Sequence, residues 1–114
     1  MTCPLCKINS RDDIIFHQDH LVTVCRTKDL KGHHERLMVL LNRHAIEPNR
    51  VEHDNARVRL VMVGRQRFQG DFYLLHDTFS RIHDHWHMVA SRLDPNADDY
   101  EQILATEKEH IHLN

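Results

Sequence analysis

Several things are scarce in this 114-residue chain, and each scarcity removes a class of protein. Cysteine occurs three times, an odd number that argues against a disulfide scaffold. With no signal peptide ahead of them, these cysteines lead us to expect a cytoplasmic protein. Glycine and proline also occur three times each. No repeat, low-complexity tract or linker divides the chain, so a single domain over residues 1–114 is expected, long enough for a core without staples. No apolar run approaches the roughly 18 residues that cross a bilayer, and membrane insertion is not expected. Charge of one sign is missing too. Fifteen Lys and Arg stand against 17 Asp and Glu, a formal net charge of −2. That leaves no basic bias to draw in nucleic acid or an anionic membrane.

What is abundant is histidine, with twelve in the chain. The densest stretch is Ile82-His83-Asp84-His85-Trp86-His87-Met88-Val89. In a strand, alternate side chains share a face, so His83, His85 and His87 are expected side by side. A helix would turn them about 200° apart per step and form no common site.

Along the chain, Cys3-Pro4-Leu5-Cys6 comes first. This pair is half of a zinc site or a thiol–disulfide couple; no strand precedes it, which favours zinc. Ile14–Phe16 and His20–Cys25 read as strands around a polar turn at Gln18-Asp19, with Cys25 a small buried residue. Residues 26–36 read as a polar loop, and Leu37–Leu41 as a central strand, a short helix being the competing reading. Val51–Phe68 is too long for a strand and is expected to be a helix. Its apolar side would be Val51, Val58, Val61, Met62 and Phe68, and its wet side the arginines at 57, 59, 65 and 67. Phe72–His76 reads as a strand joined to the histidine strand in a hairpin. Asp94-Pro95 followed by acids predicts a second helix over Pro95–Glu109, with Tyr100, Ile103 and Leu104 as its stripe. His110-Ile111-His112 reads as a frayed end.

Zinc takes four Cys and His donors in a tetrahedron. Cys3 and Cys6 offer two, and His44 and His83, each at a strand end, can turn toward them; a backbone-bonded His44 is the plainer alternative. His85 and His87 then remain for chemistry. Two neighbouring imidazoles can divide phosphoryl or nucleotidyl transfer, one attacking phosphorus and the other moving the leaving-group proton. Ser80, Arg81 and His76 lie near enough in sequence to line a phosphate. Polar or metal-binding histidines on an exposed strand are the alternative.

His83-x-His85-x-His87-x-Val89 resembles the motif of the histidine triad (HIT) superfamily. The order Cys3-x-x-Cys6, Asp19-His20-Leu21-Val22, Gly32-His33, Arg43-His44, helix, triad is similar to that of its zinc-containing members, over residues 3 to 90. The resemblance implies an α+β fold: an antiparallel sheet of about five strands, one long helix and a C-terminal helix. It also implies a homodimer that hydrolyses or transfers nucleoside monophosphate groups, with a purine nucleotide or nucleotide-derived small molecule as ligand. By position it assigns zinc to Cys3, Cys6, His44 and His83. His85 becomes the nucleophile, His87 its partner at the phosphate, and Ser80 a phosphate contact. The chain departs from the family at Asp84, where an apolar residue is usual, and at Thr78-Phe79, where a Gly-Gln pair is common. A second hypothesis follows from those departures: a zinc-stabilised module that binds a nucleotide or partner without turnover. A nucleic-acid-binding Cys/His module is the third and lacks the clustered Lys and Arg it needs.

Overall fold

A computed structural model gives the fold, and it describes residues 14–26, 36–75, 85–92, 95–96, 100–105 and 107–112. The elements are β1 (Ile15–Gln18), β2 (Val22–Arg26), β3 (Arg36–Leu41), α1 (Arg50–Arg67), β4 (Phe72–Leu75), β5 (His87–Ser91), α2 (Tyr100–Ala105) and β6 (Lys108–Ile111). The class is α+β. Six strands, where about five were expected, form one antiparallel sheet in the order β1-β2-β3-β5-β4-β6. No helix among the described residues is long and apolar enough to cross a membrane.

Most of β3 and β4 comes from short apolar runs, and both are buried and interior to the sheet. Continuous hydrophobicity is what a strand covered on both faces requires. The main core joins α1 to one sheet face through Val22, Val24, Leu37, Val39, Phe72, Leu74, Met88 and Ala90. Cys25 is fully buried, as expected.

The helix lies where the sequence placed it, but its buried line differs. Glu52, Ala56, Leu60, Val61, Val63 and Gly64 face inward, whereas Val51, Val58 and Met62 are 67%, 49% and 45% exposed. Small residues explain the choice. Ala56 and Gly64 let the helix lie close to the sheet, and a Cβ on Gly64 would stand 2.5 Å from the Phe72 ring. Glu52 is buried because Arg43 neutralises it through two 2.7 Å hydrogen bonds.

The predicted C-terminal helix is also corrected. Among the described residues it spans Tyr100–Ala105, and Lys108–Ile111 turns into an edge strand paired with β4. Without that strand, buried β4 would leave a row of backbone N–H and C=O groups unpaired. Ile111 is buried, paired across from Phe72, and Arg57 of α1 forms a bidentate ion pair with Glu109. The stretch from 108 to 111 is therefore ordered by pairing, where the sequence suggested a helix as far as Glu109 and a frayed end from His110.

Candidate functional site

Hydrogen bonds at Asn42, Arg43 and Asn49 hold the loop from β3 to α1 that carries His44. Asn42 donates from Nδ2 to the Asp19 carbonyl at 2.5 Å and accepts from Thr23 at 2.6 Å. Arg43 grips Glu52 as a fork. Asn49 caps α1: its side chain accepts from the Glu52 amide and Glu52 accepts from the Asn49 amide, both at 2.8 Å. That reciprocal capping satisfies donors that a helix start leaves open. The Arg43 hydrogen bonds pull the Glu52 carboxyl from its ordinary 4.5 to about 2, against a desolvation that pushes it up.

The β1–β2 turn is built on Asp19. Its Oδ1 accepts from the amides of Leu21 and Val22 at 2.8 and 2.9 Å. Oδ2 meets His17 Nε2 at 2.8 Å and Asn55 of α1 at 3.0 Å. Burial would raise this carboxyl, but the hydrogen bonds from His17, Val22, Asn55 and Leu21 outweigh it and hold it below the usual carboxylate range.

Three of the histidines singled out by the sequence meet where β3 ends and β5 begins. The sheet register pairs Leu40 with His87. Beyond that pair, the Trp86 amide donates to Ala45 O at 2.7 Å, and His85 Nε2 lies 2.8 Å from Leu41 O. The exposed His44 ring stands edge-on to the buried His85 ring, centroids 5.3 Å apart and planes at 88°. Trp86 lies against His53 of α1, with ring centroids 5.8 Å apart.

His85 therefore sits in the bend before β5, and the regular strand starts at His87. The expected picture of imidazoles in a row along one strand is revised at this position. A peptide carbonyl only accepts, so the tautomers follow from the partners. His85 Nε2–H donates to Leu41, which puts the lone pair of the neutral ring on Nδ1. His87 Nδ1–H donates to His85 O at 3.0 Å, which puts its lone pair on Nε2. The two rings thus meet backbone carbonyls through opposite nitrogens, Nε2 in His85 and Nδ1 in His87.

Cys3, Cys6, His76, Ser80 and His83 lie outside the described residues. Of the four donors that the resemblance gives to zinc, His44 alone is described. Two thiols and two imidazoles are a donor set suited to a closed tetrahedral zinc site.

No family model matches this chain, and neither the curated proteins nor the solved structures contain a match.

Sequence reasoning missed Asn42, Arg43 and Glu52 as the loop's clamps. A signal was present, since Asn49-x-x-Glu52 after Pro48 has the spacing of a reciprocal helix cap. Nothing local marked Asn42 or Trp86, whose partners lie 23 and 41 residues away in sequence.

Proposed function

We propose that this chain is a HIT-type domain that cleaves a nucleoside monophosphate ester or phosphoramidate through a nucleotidyl-histidine intermediate. The observation that carries the proposal is that His85 and His87 meet backbone carbonyls through opposite ring nitrogens, next to His44. His85 attacks phosphorus through Nδ1, forming an N–P bond as the P–O or P–N bond to the leaving group breaks. The ring gains positive charge in that step, and the Leu41 carbonyl at Nε2–H stabilises it. Protonated His87 gives the leaving group its proton from Nε2, while Nδ1–H stays on the His85 carbonyl. The neutral His87 then takes a proton from the water that attacks phosphorus. The N–P bond breaks, His85 is restored, and the nucleoside monophosphate leaves.

Zinc belongs to the proposal as a structural ion on Cys3, Cys6, His44 and His83, tying the opening residues to the triad. Ser80 and His76 are proposed to contact the phosphate. A purine base and a homodimer also belong to the reading, on the strength of the motif resemblance alone.

One observation favours a second reading. His85 is 1% exposed, and a ring so enclosed reaches a phosphate only if its cover shifts. A zinc-stabilised module that binds a nucleotide or partner without turnover needs no such shift.

Incubation with adenosine or guanosine 5′-phosphoramidate, followed by intact-mass analysis, separates the two. On the leading reading the wild-type chain gains one nucleoside monophosphate and turns the compound over. Folded His85→Ala does neither. Full turnover by His85→Ala would remove the mechanism. Mononucleotide binding with neither adduct nor turnover would select the module.

A further inference from the structure

The end of β6 and the start of β4 carry a second group of side chains able to hold a metal, separate from His44, His85 and His87. The register pairs Phe72 with Ile111 and Tyr73 with His110. One step beyond the first pair, Asp71 comes opposite His112. Alternation turns Ile111 into the core and puts His110 and His112 on the other face together. Asp71 Oδ2 lies 3.0 Å from His110 Nε2 and 3.6 Å from His112 Nδ1. One donor atom from each of the three residues falls within 4.8 Å of the other two. The imidazole centroids are 4.0 Å apart, and the Tyr73 ring stacks on His110 at 4.7 Å and 21°, orienting it.

We infer that Asp71, His110 and His112 form a surface site for a divalent transition metal of the zinc, cobalt or nickel type. With metal–donor bonds of about 2.1 Å, neighbouring donors in tetrahedral or octahedral sets lie about 3.0 to 3.4 Å apart. The two carboxylate–imidazole distances already bracket that spacing closely. Two imidazoles and one carboxylate suit borderline metals rather than calcium or magnesium, which prefer oxygen. The side chains of His110, His112 and Asp71 are 38%, 67% and 46% exposed, so water completes the coordination. The ion bridges β4 and β6 and adds to the holds on an edge strand already paired with β4, packed through Ile111 and tied to α1 by the Arg57–Glu109 pair. This site is independent of the nucleotidyl-transfer reading, and it uses none of the same residues.

The test uses the full chain, stripped with a chelator and titrated with Co²⁺ and then Zn²⁺. Thiolate-bound Co²⁺ shows a near-ultraviolet charge-transfer band, and the inferred site does not, so a Cys3/Cys6 site is counted separately. Wild type is expected to bind one equivalent of non-thiolate metal, and Zn²⁺ is expected to slow amide exchange in Lys108–Ile111. His112→Ala and Asp71→Asn, both at exposed positions and checked by circular dichroism, should each weaken that equivalent at least tenfold and abolish the exchange effect. His20→Ala, an exposed histidine elsewhere, should change neither. Equal binding by wild type, His112→Ala and Asp71→Asn, or an equal loss in His20→Ala, would overturn the site.

Discussion

Replacing Glu52 by Gln removes one charge from the clamp that fixes the loop carrying His44, and its cost can be worked out. The Glu52 side chain is 4% exposed and receives two 2.7 Å hydrogen bonds from Arg43 and one of 2.8 Å from the Asn49 amide. A carboxyl drawn from 4.5 to about 2 corresponds to at most about 3.5 kcal/mol, at roughly 1.4 kcal/mol per tenfold change in proton affinity. Arg43 is 54% exposed, so solvent screens the pair and about 2 kcal/mol is expected at pH 7. The sign of the pH dependence follows from the depressed value. The unfolded chain takes up the proton near 4.5 and the folded chain near 2. The contribution is complete above 4.5 and is lost as pH falls toward 2. Glu52→Gln cannot titrate there, and Asp19 titrates in both proteins. The stability gap between them should therefore shrink by more than half at pH 3 and close near pH 2. Urea unfolding of both proteins at pH 7, 5 and 3 measures this. A gap below about 0.5 kcal/mol at pH 7, or one that does not change with pH, would refute the clamp, since surface substitutions commonly cost that little.

Asp19→Ala should cost about 2 to 4 kcal/mol, because it leaves the Leu21 and Val22 amides and the Asn55 amide group without their acceptor; urea unfolding at pH 7 reads this, and a change within 0.5 kcal/mol would contradict it. Gly64→Ala would stabilise an exposed helix by about 1 kcal/mol, but here its Cβ meets the rings of a filled core. A net loss of about 1 to 3 kcal/mol is expected, and trimming the neighbour in Gly64→Ala/Phe72→Leu should cost less than the two changes summed. If zinc is held by the folded chain, a strong chelator lowers the melting temperature and added zinc restores it. Metal content near zero after purification without chelator would count against both metal proposals.

Much of the α+β layout was legible because it is written locally. Leu37–Leu41 and Phe72–Leu75 are apolar runs of strand length, and the stretch from 51 to 68 lacks any breaker strong enough to stop a helix. What failed depended on distant partners. The inward line of α1 contains a glutamate and a glycine, which a hydrophobicity pattern discards. Glu52 is acceptable there because of Arg43, and Gly64 is needed there because of Phe72. Lys108–Ile111 follows a helix-start signature closely enough to look helical, and only the open edge of β4 makes it a strand. His85 and His87 were legible as a pair by spacing. Their contacts through opposite ring nitrogens were not, because Leu41 lies 44 residues upstream of His85. His44 was picked out as a strand-end residue, yet its edge-on contact with His85 was visible only once the loop's clamps were in place.

The claim that His85 takes up the nucleotide is tested most directly by locating the adduct. Brief reaction with a nucleoside 5′-phosphoramidate, quenching under mildly alkaline conditions that preserve N–P bonds, and trypsin digestion release the segment between Arg81 and Arg92. Fragmentation of that peptide should place one nucleoside monophosphate on His85. A nucleotide found on His87, on His83 or outside this peptide would contradict the account.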